Sequence, residues 1–414
     1  MQGSSINLPP IPNPSDRRIA LRVTPAAERA LRHGHPWVFA NALTRQSQEG
    51  QPGDLAVVFD RQRKFIAIGL YDPTSIIRVR ILQHHKPVTI DQQWLAEKIS
   101  VAAKMRAGLP ENTNAYRFIN GENDCLPGLV IDRYAQSLVI KLYTLAWIPY
   151  LAMLIPILRN LLNPIRIVLR LNRDMLHYPE FLHKLKDGAL IYGTPVDGPV
   201  LFLENGITFE ADLKNGQKTG FFLDQRDNRA RVEKISLDKS VLNMFSYTGG
   251  FSVYAARGGA REVISVDLSQ PALAAAQRNF VHNQKHIAVS ACHHEIHAGD
   301  AFEVLQNYAQ AKLNFDMVII DPPSFAKRKS ETQKALAAYH RLTILGIKVL
   351  VPGGILVQAS CSSRVSEAVF FETIHQAARQ ISRPLEEIVR TGHAVDHPIK
   401  FPEGKYLKCL FATA

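Results

Sequence analysis

Cysteine is scarce in this chain: Cys125, Cys292, Cys361 and Cys409 are all it has in 414 residues, and no two form a CxxC pair. That scatter argues against a structural zinc site, so no metal is expected. It also argues against a disulfide framework, and it suits a reducing compartment such as the cytoplasm. The N-terminus, Met1 to Pro14, lacks both the basic start and the apolar core of a signal peptide. Rich in Pro, Ser and Asn, residues 1–17 read as a disordered tail. A convincing membrane span is missing as well. Leu142 to Leu158 is uncharged over seventeen residues, but Pro149 and Pro156 break it, and a span needs about 18–20 residues. A strand followed by a buried helix of a soluble protein is the expectation there. No repeat and no low-complexity segment beyond the tail is found.

What the chain has in surplus is positive charge. Its 49 Lys and Arg outnumber 37 Asp and Glu, for a formal +12 and a pI of about 9.5. Such a surface attracts polyanions, nucleic acid foremost, although this speaks of the field and not of the fold. At 414 residues the length exceeds the roughly 100–200 usual for one domain.

From Ile19 to about Gln83 short strands alternate with turns: Leu55 to Phe59, Phe65 to Leu70 and Ile76 to Ile81. A small β-rich module over 18–92 follows from that spacing. Asp91 to Met105 predicts a helix, and Leu129 to Asp132, Ser137 to Thr144 and Arg166 to Leu171 predict strands of a central α+β region, 93–198. Over 199–414 strand and helix alternate. The runs Val241 to Phe245, Glu262 to Val266, Phe315 to Ile320 and Ile355 to Ala359 are apolar throughout, as a parallel sheet buried on both faces requires. Helical patterns such as Gln270 to Asn283 and Lys334 to Leu350 separate them. An open α/β sheet is the fold class expected.

Ligands of such sheets bind beyond the carboxyl ends of the strands. After the first strand comes Ser246-Tyr247-Thr248-Gly249-Gly250, whose glycines allow close backbone approach to a ligand or merely a tight turn. It is not GxGxxG, which disfavours a dinucleotide. Asp267, eighteen residues beyond Gly249, is placed to accept the hydroxyls of a ribose; Ser269 supplies the helix cap that Asp267 would otherwise be needed for. Asp300 suits the exocyclic amine of adenine or an ordinary turn. Asp321-Pro322-Pro323-Ser324-Phe325 is a rigid corner that presents its acid and carbonyls, because two prolines fix the backbone and remove two donors. Cys361, between serines at the end of the fifth strand, stands beside that corner; a lone Cys is more often a buried hydrophobe, but its position favours chemistry. The stretch Cys292-His293-His294-Glu295-Ile296-His297 alternates faces on a strand, so a solvated surface is expected there and not a metal site.

With these motifs the chain resembles the bacterial large-subunit ribosomal RNA methyltransferase I family, which forms 5-methylcytosine in 23S ribosomal RNA. Gly34 to Phe39 and Gly69 to Ser75 look like its PUA domain, an RNA-binding β-barrel. Glu122 to Leu129 and Asp132-Arg133-Tyr134 are similar to its central domain. Gly216 to Arg226 looks like the segment that packs over the cofactor, and is the most discriminating string. Asn243 to Phe251, Asp267, Asp300, Asp321 to Phe325, Ser360-Cys361-Ser362, Asp396-His397-Pro398 and Tyr406-Leu407-Lys408 follow in the family's order. Cys125 stands where a glycine is expected. The resemblance implies a Rossmann-like class I methyltransferase sheet and S-adenosyl-L-methionine as cofactor. The cofactor would be held by Phe221, Asp224, Arg226, Ser246, Tyr247, Thr248, Gly249, Asp267, Asp300 and Asp321. It implies Cys361 as nucleophile and Asp321 as candidate base. His35, Trp37, Phe325, Lys327, Arg328 and Lys329 would contact ribosomal RNA, although a solvated run is the cheaper reading of the last three. No membrane partner is implied, and a homodimer stays open. Two alternatives compete: methylation of a base nitrogen, and a non-catalytic RNA-binding assembly protein. Nitrogen methylases typically carry an aromatic residue directly after Pro-Pro, where Ser324 stands here, and have no use for Cys361.

Overall fold

The computed structural model describes residues 6–195, 197–326 and 328–414. The chain divides into two compact units. One runs through Phe202 and adds Ala211–Phe222 and Asp396–Phe401; the other comprises Leu203–Glu210, Leu223–Val395 and Pro402–Ala414.

The first unit holds a six-stranded sheet and a five-stranded sheet. Leu55–Phe59, Phe65–Tyr71 and Ile77–His84 form adjacent antiparallel strands of the former. Leu129–Tyr134, Ser137–Leu142 and Arg166–Leu171 lie side by side in the latter. Helix Gln92–Arg106 starts where the Asp91 carboxylate accepts the Trp94 N–H at 2.8 Å. It buries Trp94, Leu95, Ile99 and Ala102 along one face, each large side chain contributing roughly 1.5–3 kcal/mol. Leu145–Leu162 is long and apolar enough to cross a membrane by length and composition. Here it packs as a core helix, with Trp147, Leu151, Leu154, Ile155 and Leu158 buried and the Trp147 indole donating to the Pro127 carbonyl at 2.8 Å.

The tail differs from expectation. Ile6 bridges to Tyr192, the Asn7 N–H donates to the Ile191 carbonyl at 2.9 Å, and Leu8 and Ile11 pack against the core. Two apolar residues spaced three apart were enough to dock a segment whose composition read as disordered. Residues 1–5 lie outside the described part.

Buried charge ties the first unit together. Arg106 grips Asp124 with two bonds of 2.9 and 2.7 Å, and Arg117 pairs with Asp132 at 2.6 Å. Asp396, from near the C-terminus, accepts the Arg117 N–H at 2.8 Å and offers its carbonyl to Arg106 at 3.0 Å. The insertion of Asp396–Phe401 here has no local sequence signal.

The second unit is built on a seven-stranded sheet. In chain order its strands are Ser240–Met244, Glu262–Asp267, His293–Ala298, Phe315–Ile320, Leu350–Ser360, Glu386–Thr391 and Lys408–Thr413. In space they run third, second, first, fourth, fifth, seventh, sixth. The first five are parallel; the seventh inserts antiparallel between the fifth and sixth. All five residues of Ser240–Met244 are buried. The order reverses between the first and fourth strands, so their carboxyl ends open the crevice in which such sheets bind ligands.

Candidate active site

The loop leaving the first strand is held in an unusual shape. Phe245 and Tyr247 have φ of +58° and +49°, the left-handed region that costs a non-glycine residue of order 1–3 kcal/mol. Asp267 helps to hold it: its carboxylate accepts the N–H of Tyr247 at 2.8 Å and that of Ser269 at 2.9 Å. The Ser269 hydroxyl caps the next helix by accepting from Ala272, as expected, leaving Asp267 to face the loop. Gly249 is a closely packed position. A Cβ there would come within 2.8 Å of the Ala276 Cβ, and its φ is +75°.

The residues present fit a polar nucleoside ligand. Asn243 Oδ1, Ser246 Oγ and Thr248 Oγ1 are buried with no hydrogen-bond partner, a state that a ligand's donors would relieve. Leu268, beside Asp267, leaves an apolar side chain 77% exposed. Asp300 caps helix Ala301–Gln310 through Oδ1, which accepts from Phe302 and Glu303. Both bonds use one oxygen, so the turn role does not consume the carboxylate. Asp224 is buried, accepting from the Tyr406 hydroxyl at 2.7 Å, and Arg226 is buried with its Nε donating to Asp227 at 3.3 Å. Phe221 falls instead within the first unit. It is buried there against Phe202 with ring centroids 5.2 Å apart, and its N–H donates to the Tyr134 hydroxyl at 3.1 Å.

The fourth and fifth strands bring the predicted chemistry together. Cys361 is partly exposed, and its Sγ lies 3.9 Å from the Pro322 carbonyl oxygen. The Ser362 hydroxyl donates to the Ala326 carbonyl at 3.2 Å, and Ser324 donates to the same oxygen at 3.2 Å. Tyr339 and Ser360 hydroxyls meet at 2.8 Å beneath. The other thiols differ. Burial pushes Cys292 up to about 11, with Glu262 adding to the rise. Burial also pushes Cys409 far up, helped by Asp321.

The expected RNA contacts fall in both units. Phe325 is half-buried, packed on Tyr339 and Phe245 with centroids 5.2 and 6.5 Å away. Arg328 is exposed and its N–H donates to Glu331; Lys329 opens the short turn Lys329–Glu331, and Lys327 lies outside the described residues. In the first unit His35, Trp37 and Phe39 form an aromatic group, with centroids 5.8 and 6.1 Å from Trp37. The Trp37 indole N–H donates to Glu122 at 2.8 Å, so that ring also serves as a tie within the unit. The His-rich stretch is less solvated than expected. Cys292 is buried, and His294 stacks on Phe280 at 3.6 Å. Burial, with His293 nearby, pushes the His294 imidazole down to about 4.

A sheet of this order, with an acid after its second strand and a strained loop after its first, defines a Rossmann-like methyltransferase. Comparison with known proteins agrees. Residues 186–403 match the S-adenosylmethionine-dependent methyltransferase family and residues 21–84 the PUA-like domain. The chain is similar to the ribosomal RNA large subunit methyltransferase of Deinococcus radiodurans, 46% identical over 97% of this chain and 98% of that one. It is also similar to the ribosomal RNA large subunit methyltransferase I of Pseudoalteromonas translucida, 35% identical over 92% and 96%. The structure of a SAM-dependent methyltransferase from Streptococcus mutans superposes with a TM-score of 0.81, covering 95% of this chain and 100% of that one. At 22% identity that likeness shows the fold. The chain belongs to the ribosomal RNA large subunit methyltransferase I family, and S-adenosyl-L-methionine is its cofactor.

Proposed function

We propose that this protein methylates carbon 5 of a cytosine in 23S ribosomal RNA, in the cytosol, with Cys361 as covalent nucleophile. The observation that carries the reading is a partly exposed thiol 3.9 Å from the Pro322 carbonyl, at the carboxyl edge of the sheet. The names of the relatives supply the ribosomal substrate, and the formal charge of +12 suits a polyanion.

Carbon 5 of cytosine is a poor nucleophile. The Cys361 thiolate adds to carbon 6, forming an S–C bond and moving the ring's double-bond pair toward carbon 5. S-adenosylmethionine, when bound, supplies the electrophilic methyl group. Once carbon 5 carries the methyl, its proton passes to the Asp321 carboxylate, directly or through water. The double bond re-forms and the S–C bond breaks, returning the thiolate. The Pro322-Pro323 backbone stiffens the corner whose carbonyl lies 3.9 Å from the sulfur and whose acid would take the proton. The target base must be unstacked to reach them, at a cost of a few kcal/mol from a duplex. Nitrogen methylation is disfavoured, since Ser324 follows the prolines and Phe325 is packed on Tyr339.

Mass-spectrometric mapping of 23S ribosomal RNA incubated with the protein should show one new 5-methylcytosine. A mark on a base nitrogen would overturn the reading. In the cofactor crevice, Asp267→Ala should weaken S-adenosylmethionine binding by about ten- to a hundredfold in calorimetry, the worth of one or two charge-assisted hydrogen bonds. An unchanged affinity removes Asp267 from the binding residues.

A further inference from the structure

Lys408 is 2% exposed, and its surroundings are not those of a structural lysine. It lies on the seventh strand, in register with Ser360 of the fifth. Its ammonium donates to the carbonyls of Ser362 and Val365, both at 2.5 Å, and to that of Tyr406 at 3.3 Å. Among the described residues no carboxylate lies within ion-pair distance of it. A buried charge is ordinarily paired, because desolvation penalises it heavily. Three carbonyl dipoles partly replace the water. They belong largely to the loop that begins at Cys361, and among the ionisable groups that favour the charged amine Cys361 has the larger influence, ahead of Glu367.

We infer that Lys408 is a positioning residue for Cys361, clamping the Cys361-to-Ser366 loop by its carbonyls and holding the thiol toward its thiolate form. The inference rests on Cys361 being the nucleophile and says how that nucleophile is prepared. The clamp is specific in geometry. One ammonium spans the residues one and four beyond the sulfur, while the Ser362 hydroxyl anchors the same loop to the Asp-Pro-Pro corner through Ala326. A leucine or methionine there would take this donor from the Ser362, Val365 and Tyr406 carbonyls and would remove a buried cation from beside the loop that carries the sulfur. Other groups bear on the pair from the surrounding elements. Glu367 begins the helix after the loop, and Lys405 precedes the seventh strand. Cys361 and Asp321, at the ends of the fifth and fourth strands, both bear on Tyr339 of the helix Thr332–Lys348. Glu367 is itself ion-paired with Lys405, and Arg364 lies on the same loop with its side chain exposed. Burial lowers the Lys408 amine to about 8, and Cys361 acts in the opposite direction. By reciprocity each charged form stabilises the other.

The test is the rate of Cys361 alkylation by iodoacetamide against pH, in the full chain without RNA, read by peptide mass spectrometry. Exposed Cys125 serves as internal reference. Lys408→Met should raise the Cys361 midpoint by about one pH unit, a tenfold lower rate at neutral pH. Lys408→Arg should restore part of it, and Cys125 should not move. A Cys361 profile unchanged in Lys408→Met overturns the inference. If that variant does not fold, the reciprocal measurement decides. Cys361→Ala should lower the Lys408 titration midpoint seen in its 13Cε shift, and an unmoved midpoint overturns the inference equally. Alkylation needs no methyl transfer, so failure here leaves the covalent route standing. Turnover retained without the Cys361 sulfur would remove the covalent route while leaving the measured coupling intact.

Discussion

Cys361→Ser should lose methyl transfer by roughly a thousandfold or more, the scale on which removing a covalent nucleophile acts, while S-adenosylmethionine and RNA still bind. The hydroxyl is nearly isosteric, so the loop anchored through Ser362 and Ala326 should hold its shape. What changes is nucleophilicity. A few per cent of an ordinary thiol is thiolate near neutral pH, whereas a serine hydroxyl needs a base to remove its proton. Single-turnover transfer of a radiolabelled methyl group would measure the loss, and calorimetry with the cofactor would show that the crevice is intact. Turnover near the wild-type rate would falsify covalent catalysis and return nitrogen methylation to contention. Asp321→Asn separates the steps further, since the thiol can still add but the carbon 5 proton has lost its acceptor.

Asp124→Ala should destabilise the first unit by about 3–5 kcal/mol, the cost of stranding one partner of a buried ion pair. Arg106 and Asp124 side chains are 2% and 1% exposed, and the same carboxylate accepts the Asn120 N–H at 2.6 Å. Without it the guanidinium keeps only the carbonyls of Ala102, Arg117 and Asp396. In a unit of this size the loss corresponds to a fall in Tm of roughly 10 °C by scanning calorimetry. The double replacement Arg106→Met with Asp124→Leu should recover much of it, because an apolar pair avoids the desolvation that the ions suffer. A single variant that melts within a degree of the parent would show that water reaches the site.

The catalytic sheet was legible because its strands are short apolar runs. Phe315–Ile320 matches its expected bounds, and Glu262–Asp267 differs by one residue. The juxtaposition of Cys361 with the Asp-Pro-Pro corner followed from strand-end logic alone. The sixth strand, Glu386–Thr391, escaped notice because it is a half-exposed edge with little alternation to read. Lys408 was visible only as part of a motif, since a lysine in an apolar strand gives no hint of which carbonyls it will meet. Gly249 was read for ligand approach or a tight turn, and its φ of +75° with Ala276 alongside accounts for the turn. Asp300, read as a ligand contact or a turn residue, caps a helix, and Trp37, read as an RNA contact, also ties to Glu122. Such contacts join residues far apart in the chain, or compete with local hydrogen bonds that sequence patterns do not rank.

The path of the backbone has a consequence for biosynthesis. The chain crosses from one unit to the other after Phe202, Glu210, Phe222, Val395 and Phe401, so neither unit is one uninterrupted stretch. At roughly 5–20 residues per second, the N-terminal module waits many seconds on the translating ribosome for Asp396 to emerge and supply its last buried acceptor. Vectorial folding therefore cannot finish the first unit until nearly the whole chain has emerged, and a nascent fragment stopped at Phe202 would lack the Asp396 carbonyl and carboxylate that accept from Arg106 and from the Arg117 N–H.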